Sequence, residues 1–162
     1  MKPTSNEPVS GFRPLTEPVD VSLTELGAPA SSAPFKAWVA APATTAGELL
    51  LRGAVWRLDS GSIEVLCLMC PHEICEVERV ADASALAQRD NVALPPRPLL
   101  VCPCHFSVFD PEAHGERLAG PAPRGLYRFG FEVADDRVRI DRVEAALVDR
   151  FDVPESKSGG SP

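Results

Sequence analysis

The 162-residue sequence has no apolar run approaching the roughly 18–20 residues that a membrane-crossing helix needs. Its opening, Met1-Lys2-Pro3-Thr4-Ser5-Asn6-Glu7, lacks the apolar stretch of a secretory signal and carries no paired arginines. The expectation is a chain that neither anchors nor exports itself and meets a membrane only through a partner. Positive charge is in deficit. Sixteen Lys+Arg against 23 Asp+Glu leave a net charge of −7, which repels phosphate backbones and argues against nucleic acid as a partner. Uninterrupted segments are scarce as well, because 17 prolines and 11 glycines cut the chain into short pieces and disfavour long helices. There is no internal repeat. At 44% hydrophobic and 24% charged, the composition excludes a wholly disordered chain, and the length suits one core rather than two.

Between the punctuation the apolar period is mostly two. Ile63, Val65, Cys67 and Met69 point one way, and Ser62, Glu64, Leu66 and Leu68 the other. Asp59-Ser60-Gly61 reads as a turn joining this strand to one around 49–58. Tyr127, Phe129, Phe131 and Val133 alternate with Arg128, Gly130 and Glu132, and Ala134-Asp135-Asp136 turns into 137–140 with Val138 and Ile140 inward. Weaker strands fall at 19–23, 35–40, 77–80 and 98–102, and one alanine-rich helical turn at 81–88. This pattern indicates an all-β fold, an antiparallel sandwich or barrel. Residues 1–18, with four prolines, read as a flexible lead-in, and 146–162 as a flexible tail, leaving a domain over 19–145.

All five cysteines and two of the three histidines lie in two short boxes. The first is Cys67-Leu68-Met69-Cys70-Pro71-His72-Glu73-Ile74-Cys75. The second is Cys102-Pro103-Cys104-His105-Phe106-Ser107-Val108-Phe109-Asp110. Three chemical readings are open. A tetrahedral zinc site accepts these ligand types, although its usual Cys-x₂₋₄-Cys and His-x₃₋₅-His spacings are poorly matched. Simple disulfides would leave one cysteine over and give the histidines no task. The third reading takes Cys-x-His with Cys-x-x-His as ligands of a [2Fe–2S] cluster of the Rieske type.

The paired boxes Cys70-Pro71-His72 and Cys102-Pro103-Cys104-His105 resemble those of Rieske iron–sulfur proteins, and most closely those of the Rieske subunits of cytochrome bc and b6f complexes. Gly120-Pro121-Ala122-Pro123-Arg124 resembles the Pro loop that covers the cluster in that group. The resemblance spans about residues 48–141. It implies a Rieske-type β scaffold with a small cluster-binding subdomain inserted at about 68–124. Cys70 and Cys102 would hold the inner iron, His72 and His105 the outer one, and Cys75 and Cys104 would form a disulfide tying the two loops together. The implied function is one-electron transfer through one [2Fe–2S] cluster, from a quinol to a c-type cytochrome, beside a cytochrome b-like subunit. A soluble Rieske subunit of another oxidoreductase, such as the small subunit of an arsenite oxidase, is the first alternative. A Rieske ferredoxin feeding an oxygenase is the second. No stand-alone catalytic residue is implied.

Three positions bear on the potential. Ser107 stands where the family places a hydroxyl directed at a bridging sulfide, and Phe109 where high-potential members have a tyrosine. Glu73 replaces an apolar residue beside a ligand histidine, and a carboxylate there favours oxidised iron. The expectation is a potential below that of the ubiquinol-oxidising members, within a range of about −150 to +300 mV. A disulfide suits an oxidising compartment, hence the outer or periplasmic side of a membrane complex, with a soluble cytoplasmic setting as the alternative. Cys67 reads as a buried thiol, His114 as a surface-turn residue, and Trp38 and Trp56 as core. The long connection at 81–97 is either a docking insertion or a solvated excursion.

Overall fold

The structure is a computed structural model that describes residues 11–29, 31–42, 47–72 and 75–151. Ten strands and two short helices follow in chain order: β1 Phe12–Ser22, β2 Ser32–Ala40, β3 Glu48–Arg57, β4 Ile63–Cys67, β5 Glu78–Val80, α1 Ser84–Asp90, β6 Leu99–Val101, β7 Val108–Asp110, β8 Glu116–Ala119, β9 Phe129–Ala134, β10 Arg137–Glu144 and α2 Ala145–Asp149. Six strands form an antiparallel sheet in the order β4-β3-β2-β1-β10-β9. The sheet curls so that its outer strands nearly meet: Leu66 bridges to Arg128, and Cys67 N donates to Tyr127 O at 2.8 Å. Between β4 and β9 the chain lays down a second antiparallel sheet, β5-β6-β7-β8. The architecture is the expected all-β barrel with a smaller inserted unit. Among the described residues, no helix is long and apolar enough to cross a membrane.

Alternation explains the barrel interior. On β2, Ala33, Phe35, Ala37 and Val39 point inward, and Phe35 meets Phe129 of β9 edge-to-face at 5.0 Å. Val138 and Ile140 of β10 are fully buried beside them. The two faces of β4 behave differently from an ordinary barrel strand. Val65 and Cys67 enter the barrel core, while Leu66 enters a second core shared with Leu100 and Phe109 of the small sheet. No side of β4 is left to water, and even Glu64 is only 1% exposed.

Several elements depart from the sequence expectation, each for a physical reason. β1 begins at Phe12, inside the expected lead-in. Pro18 is tolerated because the ladder to β10 is interrupted between Pro14 and Val19, and Pro14, opposite Arg142, is the last paired residue before that break. At the other end, α2 occupies part of the expected tail and fully buries Leu147 and Val148. Five residues give no helical period to read. Trp38 is 48% exposed rather than core, because the inward positions of β2 are the odd-numbered ones and Trp38 stands on the outer face opposite Leu50. Val133 is equally exposed, lying where β9 runs past the core into the left-handed turn at Asp135. Trp56 is buried as expected. β7 and β8 fall outside the strands that the sequence pattern predicts.

The connection at 81–97 holds a helix shifted to Ser84–Asp90, closed by Asn91 in the left-handed conformation. It is not a bare excursion. Ala83, Leu86, Val92 and Leu94 pack over Leu99, Val101 and Val108, making a third core on the outer face of the small sheet. Arg97 ties the segment down through an ion pair with the buried Asp110.

Candidate metal centre

Two hairpin loops build the site. In the first, Val77 N donates to Leu68 O at 2.7 Å and Cys70 N to Cys75 O at 2.8 Å, so the chain from Cys70 to Cys75 is pinched at its base. In the second, Cys102 N donates to Ser107 O at 2.9 Å and Phe106 N to Cys102 O at 2.8 Å. Phe106 takes a positive φ of 64°, which turns this loop back on itself and puts its ring at the surface. A Cys75–Cys104 disulfide joins the two loops, as the resemblance implied. The sulfurs of Cys75, Cys102 and Cys104 all lie within 4.8 Å of one another.

Burial grades across the two loops. Cys70 and Cys102 are 0% and 1% exposed and belong to the second core, with Phe109, Leu100 and Ala122 around them. His72 is half-buried and His105 exposed, their ring centroids 4.9 Å apart and nearly perpendicular. Two segments about 30 residues apart in sequence are thus brought to one end of the small sheet, with Cys70 and Cys102 inside and the imidazoles at the rim. Glu73 lies outside the described residues.

A third loop closes over this end. Gly120 adopts φ +96° and rests so closely on Ser107 that a Cβ on it would stand 2.4 Å from the Ser107 Cα. Ala122 N donates to the Ser107 hydroxyl at 3.0 Å, and Ala122 is itself buried. Ser107 therefore fastens the loop Gly120-Pro121-Ala122-Pro123 to the second box. Its hydroxyl accepts that bond and keeps its own proton to donate. Phe109 is fully buried, its ring contributing only apolar surface.

Two further side-chain networks brace the loops, and neither is visible from local spacing. Arg124, at the end of the third loop, makes a two-pronged contact with Glu144 at 2.9 and 3.0 Å, and the same carboxylate accepts from Arg128 N at 2.8 Å. Arg150, just past α2, donates to Cys70 O at 3.2 Å. His114 is a turn residue as expected, yet its Nδ1 lies 2.5 Å from the buried carboxylate of Glu64, which also receives Arg128 at 2.9 Å. The one sequence signal was Glu64 itself, a charge in an otherwise apolar strand. Cys67 is buried in the barrel wall, and burial pushes its thiol up to about 12, so it is inert at neutral pH.

The donor set suits an iron–sulfur cluster: soft thiols in an apolar interior, imidazoles where solvent begins, and among the described residues no carboxylate in the loops themselves. A family model for the Rieske [2Fe–2S] domain matches residues 42–130. The chain belongs to the Rieske [2Fe–2S] family. No curated protein matches it. Among solved structures it is similar to the cyanobacterial plasma membrane Rieske protein PetC3 from Synechocystis PCC 6803. That match has 24% identity and a TM-score of 0.39, covering 65% of this chain and 84% of that one. As a Rieske protein, the chain carries a [2Fe–2S] cluster and transfers electrons between redox partners.

Proposed function

We propose that Cys70 and Cys102 hold one iron and His72 and His105 the other, in a lobe of about residues 68–124, and that the chain accepts an electron from a quinol and delivers it to a c-type cytochrome in a cytochrome bc-like assembly. The observation that carries this reading is the pair of imidazoles set edge-to-face at the rim above two buried cysteines. When bound, the cluster supplies a one-electron couple whose potential is raised by imidazole ligation.

The residues of the chain divide the remaining work. Cys70 and Cys102 sit in an apolar core that keeps water from their sulfurs. The Cys75–Cys104 bond and the Ser107–Ala122 contact hold the three loops in one pose, which limits reorganisation when charge changes. His72 is half-buried and His105 exposed at the rim where a partner would dock, and each imidazole has a second ring nitrogen beyond the one that would bind iron. A donor that loses protons as it loses electrons, such as a quinol, matches that second nitrogen. The exposed Phe106 ring adds apolar surface at the same tip.

The decisive experiment is electron paramagnetic resonance of the dithionite-reduced protein beside its Cys70→Ser and His72→Ala variants. A Rieske-type signal in the parent that is lost or converted in both variants supports the ligand set. An unchanged signal in either variant overturns it. Stopped-flow mixing of oxidised protein with a soluble quinol and a c-type cytochrome then tests the direction of transfer. Failure of the quinol to reduce the protein removes the bc-like role.

A further inference from the structure

The β10–α2 corner lies beyond the span matched by the family model, which ends at residue 130. It nevertheless reaches the first cluster loop. Arg150 follows α2 directly, with its own amide bonded to Leu147 O at 3.2 Å. Leu147 and Val148 beneath it are fully buried, and Phe151 after it packs against the barrel core. The backbone at Arg150 is therefore held on both sides. From that fixed point its guanidinium donates to Cys70 O at 3.2 Å and lies 5.9 Å from the centre of the Tyr127 ring.

The neighbouring cation is differently placed. Arg124 sits 4.1 Å over the same Tyr127 ring, but its charge is matched by Glu144 through two bonds. Among the described residues, no carboxylate forms an ion pair with Arg150, and Asp149 beside it is taken by Arg13 at 2.8 Å. Arg150 thus brings positive charge, with no ion-paired carboxylate among the described residues, to the backbone of a buried cysteine. A fixed cation stabilises whichever state of its neighbour is more negative, and the effect is larger where water is excluded.

We infer that Arg150 is a positioning and potential-setting residue: it holds the Cys70 end of the first loop through the Cys70 carbonyl, and its charge favours the reduced centre. The inference rests on the proposed role of Cys70 as a ligand. Removing the guanidinium should lower the midpoint potential and loosen the loop. Keeping a cation at the same place should preserve most of the charge effect. A substitution that disturbs α2 elsewhere should do neither.

The test compares the parent with Arg150→Gln, Arg150→Lys and Arg13→Gln. Protein-film voltammetry reads the potential of each loaded protein, and hydrogen–deuterium exchange of the cluster-free chains reads protection of the Cys70 amide. The expected result is a downward shift for R150Q, a smaller one for R150K and none for R13Q, with faster exchange at Cys70 in R150Q. Equal potentials in R150Q and the parent, with the resonance signal intact in both, would overturn the role of Arg150 alone. An equal shift in R13Q would assign the effect to helix docking and overturn it too. A parent protein without the Rieske signal would overturn the ligand reading and the potential claim together, while the exchange result would still judge the contact with Cys70.

Discussion

Nδ1 of His114 lies 2.5 Å from Oε2 of Glu64, and that contact joins the two sheets of the molecule. Glu64 belongs to β4 in the barrel, and His114 to the turn between β7 and β8 in the small sheet. Arg128, just before β9, reaches the same carboxylate oxygen at 2.9 Å. One buried anion therefore gathers a donor from each side of the seam.

The two donors are unequal. The His114 side chain is 58% exposed and that of Arg128 only 16%. Replacing Glu64 by alanine removes a buried carboxylate together with its ion pair to Arg128 in a water-poor setting and should cost about 3 kcal/mol. Replacing His114 by alanine removes a solvent-screened contact and should cost less than about 1 kcal/mol. Urea unfolding of both variants checks the ranking. Equal losses would mean that His114, rather than Arg128, is the partner that matters.

Gly120 and Gly61 share a positive φ, of 96° and 91°, but not their surroundings. A Cβ on Gly61 would meet nothing within 4 Å, whereas one on Gly120 would collide with the backbone of Ser107. Gly61→Ala should cost only the conformational strain, about 1–2 kcal/mol. Gly120→Ala should exceed it and also unseat the covering loop. Melting temperature gives the first comparison. The rate at which visible absorbance of the loaded protein decays in chelator gives the second, with acceleration expected for Gly120→Ala alone.

Burial holds the Cys67 thiol up at about 12 in the folded chain, against an ordinary value near 9. In the window between those values the unfolded chain has released this proton and the folded chain has kept it. Folding stability must then fall as pH rises from about 9 towards 12, and the contribution is complete below that window. Cys67→Ala should be less stable at neutral pH, because it leaves a small cavity, yet should lose less stability on going to alkaline pH. Denaturant midpoints at pH 7.5 and 10.5 for both proteins test this, and parallel losses would contradict it.

Phe109 is fully buried in the core that contains Cys70 and Cys102. A tyrosine there would bring a hydroxyl donor towards acceptors that carry negative charge, which stabilises the reduced state. Phe109→Tyr should therefore raise the midpoint potential measured by protein-film voltammetry. An unchanged or lowered potential would show that the hydroxyl does not reach them.

What could be read beforehand was what the chain writes locally. The candidate ligands and the two disulfide cysteines fall within two nine-residue boxes, so the place of the site was visible in the sequence, as were the alternating strands that wall the barrel. Spacing left zinc and simple disulfides open, and the resemblance to Rieske proteins is what implied the cluster. β7 and β8, of three and four residues, lie at the end of the second box and just after it and carry too few positions to show a period, whereas the equally short β5 and β6 were marked by the runs at 77–80 and 98–102. Trp38 misled because an aromatic in a strand has two faces open to it, and only the register with Leu50 decides between them. Arg150 could not have been found, since its partner Cys70 lies 80 positions away and an arginine after a short helix carries no mark.

The wall formed by β4 has a mechanical consequence. Side chains on one of its faces are fixed in the barrel and those on the other in the lobe that bears the two loops. Bending the lobe away from the barrel would expose both interiors at once, so the two halves travel as a rigid unit. If distance to a donor or acceptor must change during turnover, the entire body has to be carried across that gap.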